Sequence, residues 1–105
     1  MRPQHEVKVG DHTFVFNDYI TGGENWQIRQ VYIAGIKAGV KDGSTEAAAE
    51  RKTFELVIYT MDGLSTDIAN RVMALHLDEY KQVVAAVNEV TESKKNHRTP
   101  RPVRQ

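Results

Sequence analysis

The stretch Leu77-Asp78-Glu79-Tyr80-Lys81-Gln82-Val83-Val84-Ala85-Ala86-Val87-Asn88-Glu89-Val90 sets Leu77, Tyr80, Val83, Val84, Val87 and Val90 at three- and four-residue intervals. That spacing makes one apolar stripe on an α-helix, and Lys81, Gln82, Asn88, Glu89 and Glu92 fall mostly on the opposite face. Just upstream, Leu64, Ile68, Val72 and Leu75 repeat the pattern, and Ala69 and Met73 broaden it. Only His76 and its immediate neighbours separate the two runs, so His76 reads as a cap or linker residue. Two amphipathic helices joined this tightly are expected to fold back or cross and to share apolar surface. The rest of the chain must find its place against them.

Working back toward the N-terminus, Asp62-Gly63 reads as the end of an earlier helix. In that helix Ala47, Glu50 or Arg51, Phe54, Val57, Ile58 and Met61 keep helical period, with Ser44 or Thr45 as the cap and Glu46 in the first turn. The β-branched run Val57-Ile58-Tyr59-Thr60 also suits a strand, which leaves 53–60 open; the helix-forming run Ala47 to Lys52 favours helix. Gly39 to Ser44 is a polar, glycine-bearing loop. Before it, Thr21-x-x-Glu24 has the spacing of a capping box for a helix running to about Ala38. Ile28, Val31, Tyr32, Gly35 and Ile36 form that helix's stripe, widened by Trp26 and Ile33, so broad that cover on more than one side is expected, from within the chain or from a partner. Glu6 to Phe16 alternates like a hairpin around Gly10-Asp11, glycine first as a two-residue II′ turn prefers. An isolated hairpin is marginal, so its Phe and Val face is expected to lie on the helices or to pair with another chain. The fold class is mostly α (α+β): an N-terminal β-hairpin packed on a small bundle of about four helices, in one domain over residues 1–93.

Residues 94–105 carry Lys94, Lys95, Arg98, Arg101 and Arg104, no acid, and two prolines, and are expected to form a disordered basic tail. The formal net charge of zero therefore hides an acidic body, with nine basic against fourteen acidic residues in 1–93. Cysteine is absent, which excludes disulfides, thiolate metal sites and a cysteine nucleophile. No apolar run approaches the roughly 20 residues that span a bilayer, and Met1 to Glu6 has no signal-peptide core, so the expected location is the cytosol.

Motifs for chemistry are weak throughout. His5, His12, His76 and His97 lie in four segments without metal-ligand spacing, and the serines lack a nucleophile-elbow context. Thr21-Gly22-Gly23 has no following Lys-Ser or Lys-Thr, so it reads as a cap and not a phosphate loop. No cofactor is expected. Trp26, Tyr19 and Tyr32 either fill the core of a small domain or anchor an interface. The basic tail invites nucleic acid, but the acidic body speaks against a dedicated binding face. By elimination, a protein-binding role stands ahead of an enzyme.

One further pattern sharpens this. Asp18-Tyr19-Ile20-Thr21-Gly22-Gly23-Glu24 is followed by Ile28-Arg29 and Val31-Tyr32, then by a polar middle, a segment ending in Asp62-Gly63, and Val72-Met73-Ala74-Leu75-His76-Leu77-Asp78-Glu79-Tyr80 with Val83-Val84-Ala85-Ala86-Val87-Asn88. This order of segments, over most of residues 14–91, resembles the tail assembly chaperones of long-tailed bacteriophages. The resemblance implies a small protein of the host cytoplasm that coats the tape measure protein, recruits tail tube subunits and leaves before the tail is finished. It implies no cofactor and allows self-association. Tyr19, Trp26, Arg29 and Ile33 are then the candidate protein-binding residues. It also implies that a longer frameshifted product is made in many members, for which Lys94-Lys95-Asn96 offers adenine-rich codons. Two other classes remain: a structural connector or completion protein of the virion, and a small nucleic-acid-binding regulator.

Overall fold

The computed structural model describes the backbone of residues 2–98 and the side chains of residues 2–92. The elements run β1 (Gln4–Val9), β2 (His12–Asn17), α1 (Gly22–Lys37), α2 (Ser44–Val57), β3 (Ile58–Met61), α3 (Ile68–Met73) and α4 (Leu77–Arg98). The fold is mostly helical α+β with an antiparallel N-terminal hairpin, as the periodicities predict. Helix α4 is traced to Arg98; the expected tail lies, from Thr99 on and in its side chains throughout, outside the described residues.

The hairpin turns at Gly10-Asp11, with Val9 opposite His12 and Gly10 at φ +58° while Asp11 keeps an ordinary negative-side backbone. One positive φ at the first central residue is the II′ pattern, which glycine adopts without a steric penalty. Alternation then does its work. Val9, Phe14 and Phe16 are buried against the helices, while Glu6 and Lys8 face solvent. The two phenylalanine rings meet edge to face at 6.0 Å.

The main departure from the sequence reading is at residues 58–61. Helix α2 stops at Val57, and Ile58–Met61 becomes β3, antiparallel to β2 in a sheet ordered β1-β2-β3. The register is Phe14 with Met61, Val15 with Thr60 and Phe16 with Ile58. The shift between Val15 and Phe16 leaves Tyr59 as the extra residue, exposed, while Ile58 and Met61 both reach the core. Asp62-Gly63 is accordingly no helix stop. Asp62 at φ 52° and Gly63 at φ 82° form a two-residue turn of the I′ kind, closed by Met61 N–H to Leu64 O at 2.8 Å and Leu64 N–H to Met61 O at 3.0 Å. Leu64 thus leaves the expected helical run, and α3 is only the six residues Ile68–Met73. A smaller correction concerns α2, whose N-cap is Gly43 at φ 87°; Asp42 Oδ1 accepts the Ser44 amide at 3.0 Å.

The core joins Phe14 and Phe16 to Phe54, Val57, Ile58, Met61, Ile68, Val72, Val83, Val87 and Val90. The α4 stripe is therefore core from Tyr80 onward, whereas Leu77 at its start stays exposed. His76 acts as a cap: its carbonyl accepts Tyr80 N–H at 2.9 Å and its Nδ1 accepts Asp78 N–H at 3.3 Å. Tyr80 lays its ring edge on Phe54, and its hydroxyl donates to the Glu50 carboxylate; burial and that neighbouring charge push the phenol up to about 12.

A polar clasp holds the turn ends together. Asp62 accepts Thr13 N–H at 2.8 Å and lies 2.7 Å from His12 Nδ1, and Glu79 of α4 stands 4.0 Å from the other ring nitrogen. The hydrogen bond to Asp62 raises the His12 pKa above its usual 6.5, helped by the charges of Glu79 and Asp11, and lowers Asp62 below 3.8. The imidazolium contribution to stability is thus complete below pH 6.5 and is lost as pH rises through the raised value. The carboxylate contribution is present above pH 3.8 and is lost as pH falls.

Two outcomes are expected. Val83→Asp buries an unpaired charge and should cost about 4 kcal/mol or more, whereas Val84→Asp at a half-buried site should cost clearly less, as read by urea midpoints. The melting temperature should fall as pH rises above 6.5, and His12→Ala should flatten that slope.

Candidate partner-binding face

Helix α1 begins with the capping box that its sequence announces. Glu24 N–H donates to Thr21 Oγ1 at 3.1 Å, and Thr21 N–H donates to Glu24 Oε1 at 2.8 Å. Arg2 then grips Glu24 with both guanidinium arms, at 2.7 and 3.0 Å, and donates to the Tyr19 carbonyl at 3.0 Å while standing 5.5 Å from the Tyr19 ring centroid. The guanidinium holds the Glu24 carboxyl below the usual carboxylate range. Charge at the helix start is therefore spoken for within the chain.

The helix rests on α2 by a narrow seam. Glu24, Ile28, Val31 and Gly35 are its half-buried residues, spaced at three and four. Gly35 matters because the helices approach closely there: a Cβ on it would sit 2.8 Å from Thr45 Cβ. No residue of α1 is buried. At about 100° per residue, Trp26, Gln30, Ile33 and Lys37 lie on the side away from that seam, and Tyr32 and Ile36 lie on one flank.

The consequence is a large apolar face in the open. Trp26 is 50% exposed, Tyr32 42%, Ile33 37% and Ile36 76%. Ile36 and Tyr32 belong to the stripe for which cover from within the chain or from a partner is expected; the seam is too narrow to cover them, because Gly35 brings α1 in along a single line of contact. Trp26, Gln30, Ile33, Ala34 and Lys37 border a shallow depression of about 380 Å³. Tyr32 also borders a groove of about 220 Å³ floored by Phe54, Val84 and Val87 from α2 and α4. Arg29 stands 5.8 Å from the Trp26 ring centroid, and with Lys37 it places positive charge beside Trp26 and Ile33, while Glu46 and Glu50 border the groove at Tyr32.

Of the four residues singled out from the sequence, Trp26, Arg29 and Ile33 share this outer face. Tyr19 precedes the helix, exposed, with its ring against Arg2. Tyr32, which the sequence left open between core and interface, is exposed; Ile36 was not singled out as a surface residue, although the lone Gly35 in mid-helix was the signal of a close, narrow approach. Sequence reasoning also missed Arg2, whose partner is 22 residues away.

Several polar side chains elsewhere have partners within the chain. A cleft of about 580 Å³ includes Asn17, Arg51 and Asn70, yet Arg51 donates to Asn70 Oδ1 at 2.5 Å, Asn70 to Asp67 at 2.8 Å and Asn17 to Leu56 O at 3.0 Å. Among the described residues no three His, Cys, Asp or Glu side chains gather as they would around a metal ion. Among the same residues, no helix is long and apolar enough to cross a membrane. No family model, curated protein or solved structure matches the chain.

The seam itself is testable. Gly35→Ala should raise intrinsic helix propensity yet lower stability by about 1–3 kcal/mol, because its methyl meets Thr45. Urea denaturation of the variant reads the sign.

Proposed function

We propose that this chain is a tail assembly chaperone of a long-tailed bacteriophage, one that holds the tape measure protein soluble through the outer face of α1 and recruits tail tube subunits to it. The observation that carries the reading is the helix itself: sixteen residues, Gly22–Lys37, with none buried and with Trp26, Tyr32, Ile33 and Ile36 open to solvent. Monomeric proteins rarely leave such a contiguous patch without a partner. A tape measure protein is long and mostly helical, and an amphipathic client helix offers the i, i+3, i+4 apolar ridge that this face complements. The positive charge of Arg29 and Lys37 suits acidic flanks on that helix. The segment order described above supports the same assignment, and masking apolar stripes needs no cofactor or catalytic group.

The test is co-expression with a tape measure protein of a long-tailed bacteriophage, taken from the neighbourhood of this gene if one is found there. The chain should keep the client soluble and co-purify with it, and it should be missing from purified particles. Trp26→Ala and Ile33→Asp should each leave the melting temperature near that of the parent and weaken client binding by roughly tenfold or more. A chain found at stoichiometric level in finished particles would instead be a connector or completion protein. Client binding unchanged in both variants would remove the α1 face from the site.

A further inference from the structure

Strand β1 is the open edge of the sheet: the strand order is β1-β2-β3, and only one side of β1 is hydrogen-bonded. The two-residue turn makes Val9 and His12 a hydrogen-bonded pair, and the same parity continues through Val7 with Phe14 and His5 with Phe16 to the Pro3 carbonyl, which accepts Asp18 N–H at 2.9 Å. The backbone groups of the even residues Gln4, Glu6 and Lys8 therefore point outward along the free edge. Edges of this kind normally carry a device against pairing, commonly a single charge. Here there are two charges of opposite sign, two residues apart on one face. Both Glu6 and Lys8 are exposed. Across the ladder they face Val15 and Thr13, and among the described residues neither has an ion-pair partner.

We propose that two copies of this chain pair through β1, antiparallel, about a two-fold axis at Val7. In that register Glu6 of each copy stands opposite Lys8 of the other, twice. Both residues have outward-pointing backbone groups, so these are hydrogen-bonded positions of the new ladder. Val7, half-buried in one copy, meets its own counterpart across the axis on the helix side of the sheet, where His5 stands opposite Val9. Charge selects this register. A slip of two residues in one direction sets Glu6 against Glu6, and in the other sets Lys8 against Lys8; a slip of one presents the wrong backbone groups. The result is a six-stranded sheet, β3-β2-β1 continued by β1-β2-β3 of the second copy. Helix α4 packs on β1, so the α4 helices of the two copies come side by side beneath the junction. The α1 faces stay open, because α1 packs on α2 and not on β1. This dimer therefore stands independently of the client-binding reading and would present two such faces.

The experiment is sedimentation velocity of the full chain over a concentration series, with Glu6→Lys, Lys8→Glu, the double exchange Glu6→Lys/Lys8→Glu, Glu6→Pro and Trp26→Ala. The parent should form a dimer. Each single reversal replaces two attractive pairs by two repulsive ones and should weaken it by roughly tenfold or more, and the double exchange should restore it. Glu6→Pro removes an outward amide without touching the β1-β2 ladder and should abolish pairing while thermal melting shows the fold retained. Trp26→Ala should leave the dimer unchanged. A chain monomeric at every concentration overturns the proposal. So does a dimer that ignores the charge reversals, or one that Trp26→Ala dissolves, since either places the contact on another surface.

Discussion

The pairing of β2 with β3 is the constraint on which the rest of the molecule depends. Strand β2 carries Phe14 and Phe16, both wholly excluded from solvent, and it is the central strand of the sheet. Its second edge would otherwise leave backbone groups unpaired beside the core, at a cost that local propensity cannot match. The segment following α2 supplies that edge. Phe16 meets Ile58 and Phe14 meets Met61, so the same register that satisfies the backbone also closes the apolar layer. From there the I′ turn at Asp62-Gly63 sends the chain back, and α3 and α4 cover the sheet with Val72, Val83 and Val87.

Helix α1 stands apart from this arrangement. It owes its place to the half-buried seam of Ile28 and Val31, the capping box at Thr21 and Glu24, the two-armed grip of Arg2 on Glu24, and the close passage of Gly35 past Thr45. None of them needs the outer side of the helix. A helix attached along one line keeps most of its circumference free, and in this chain the free part is apolar. The buried layer thus lies in the sheet and α4, and open apolar side chains lie on α1.

Polar chemistry in the molecule serves mainly to fasten elements. Asp62 joins the β1-β2 turn region to the β3 turn through Thr13 and His12, Glu79 brings the start of α4 to the same point, and Glu50 ties α2 to α4 through Tyr80. Each of these groups already has a partner within the fold. Open apolar side chains and an unpaired strand edge lie elsewhere, on α1 and along β1 among other places.

The sequence by itself determined the elements whose signals are local. The Gly10-Asp11 turn needs one positive φ, the Thr21 and Glu24 box needs only its three-residue spacing, and the valine stripe of α4 needs only the helical period; all three are written within a few residues. Trp26, Arg29 and Ile33 could likewise be placed on one helix, because side-chain direction follows from residue number alone. Which side of that helix is covered could not. Ile36 and Trp26 have the same local signal as Ile28, and only the docking of Gly35 on Thr45 decides that Ile28 is half-buried while the other two are exposed. The strand at Ile58–Met61, where the sequence favoured helix, was out of reach for the same reason. Val57-Ile58-Tyr59-Thr60 also suits a strand, but the helix-forming run before it tips a local reading to helix; the choice belongs to β2, more than forty residues away in the chain, whose unpaired edge makes a strand the lower free energy.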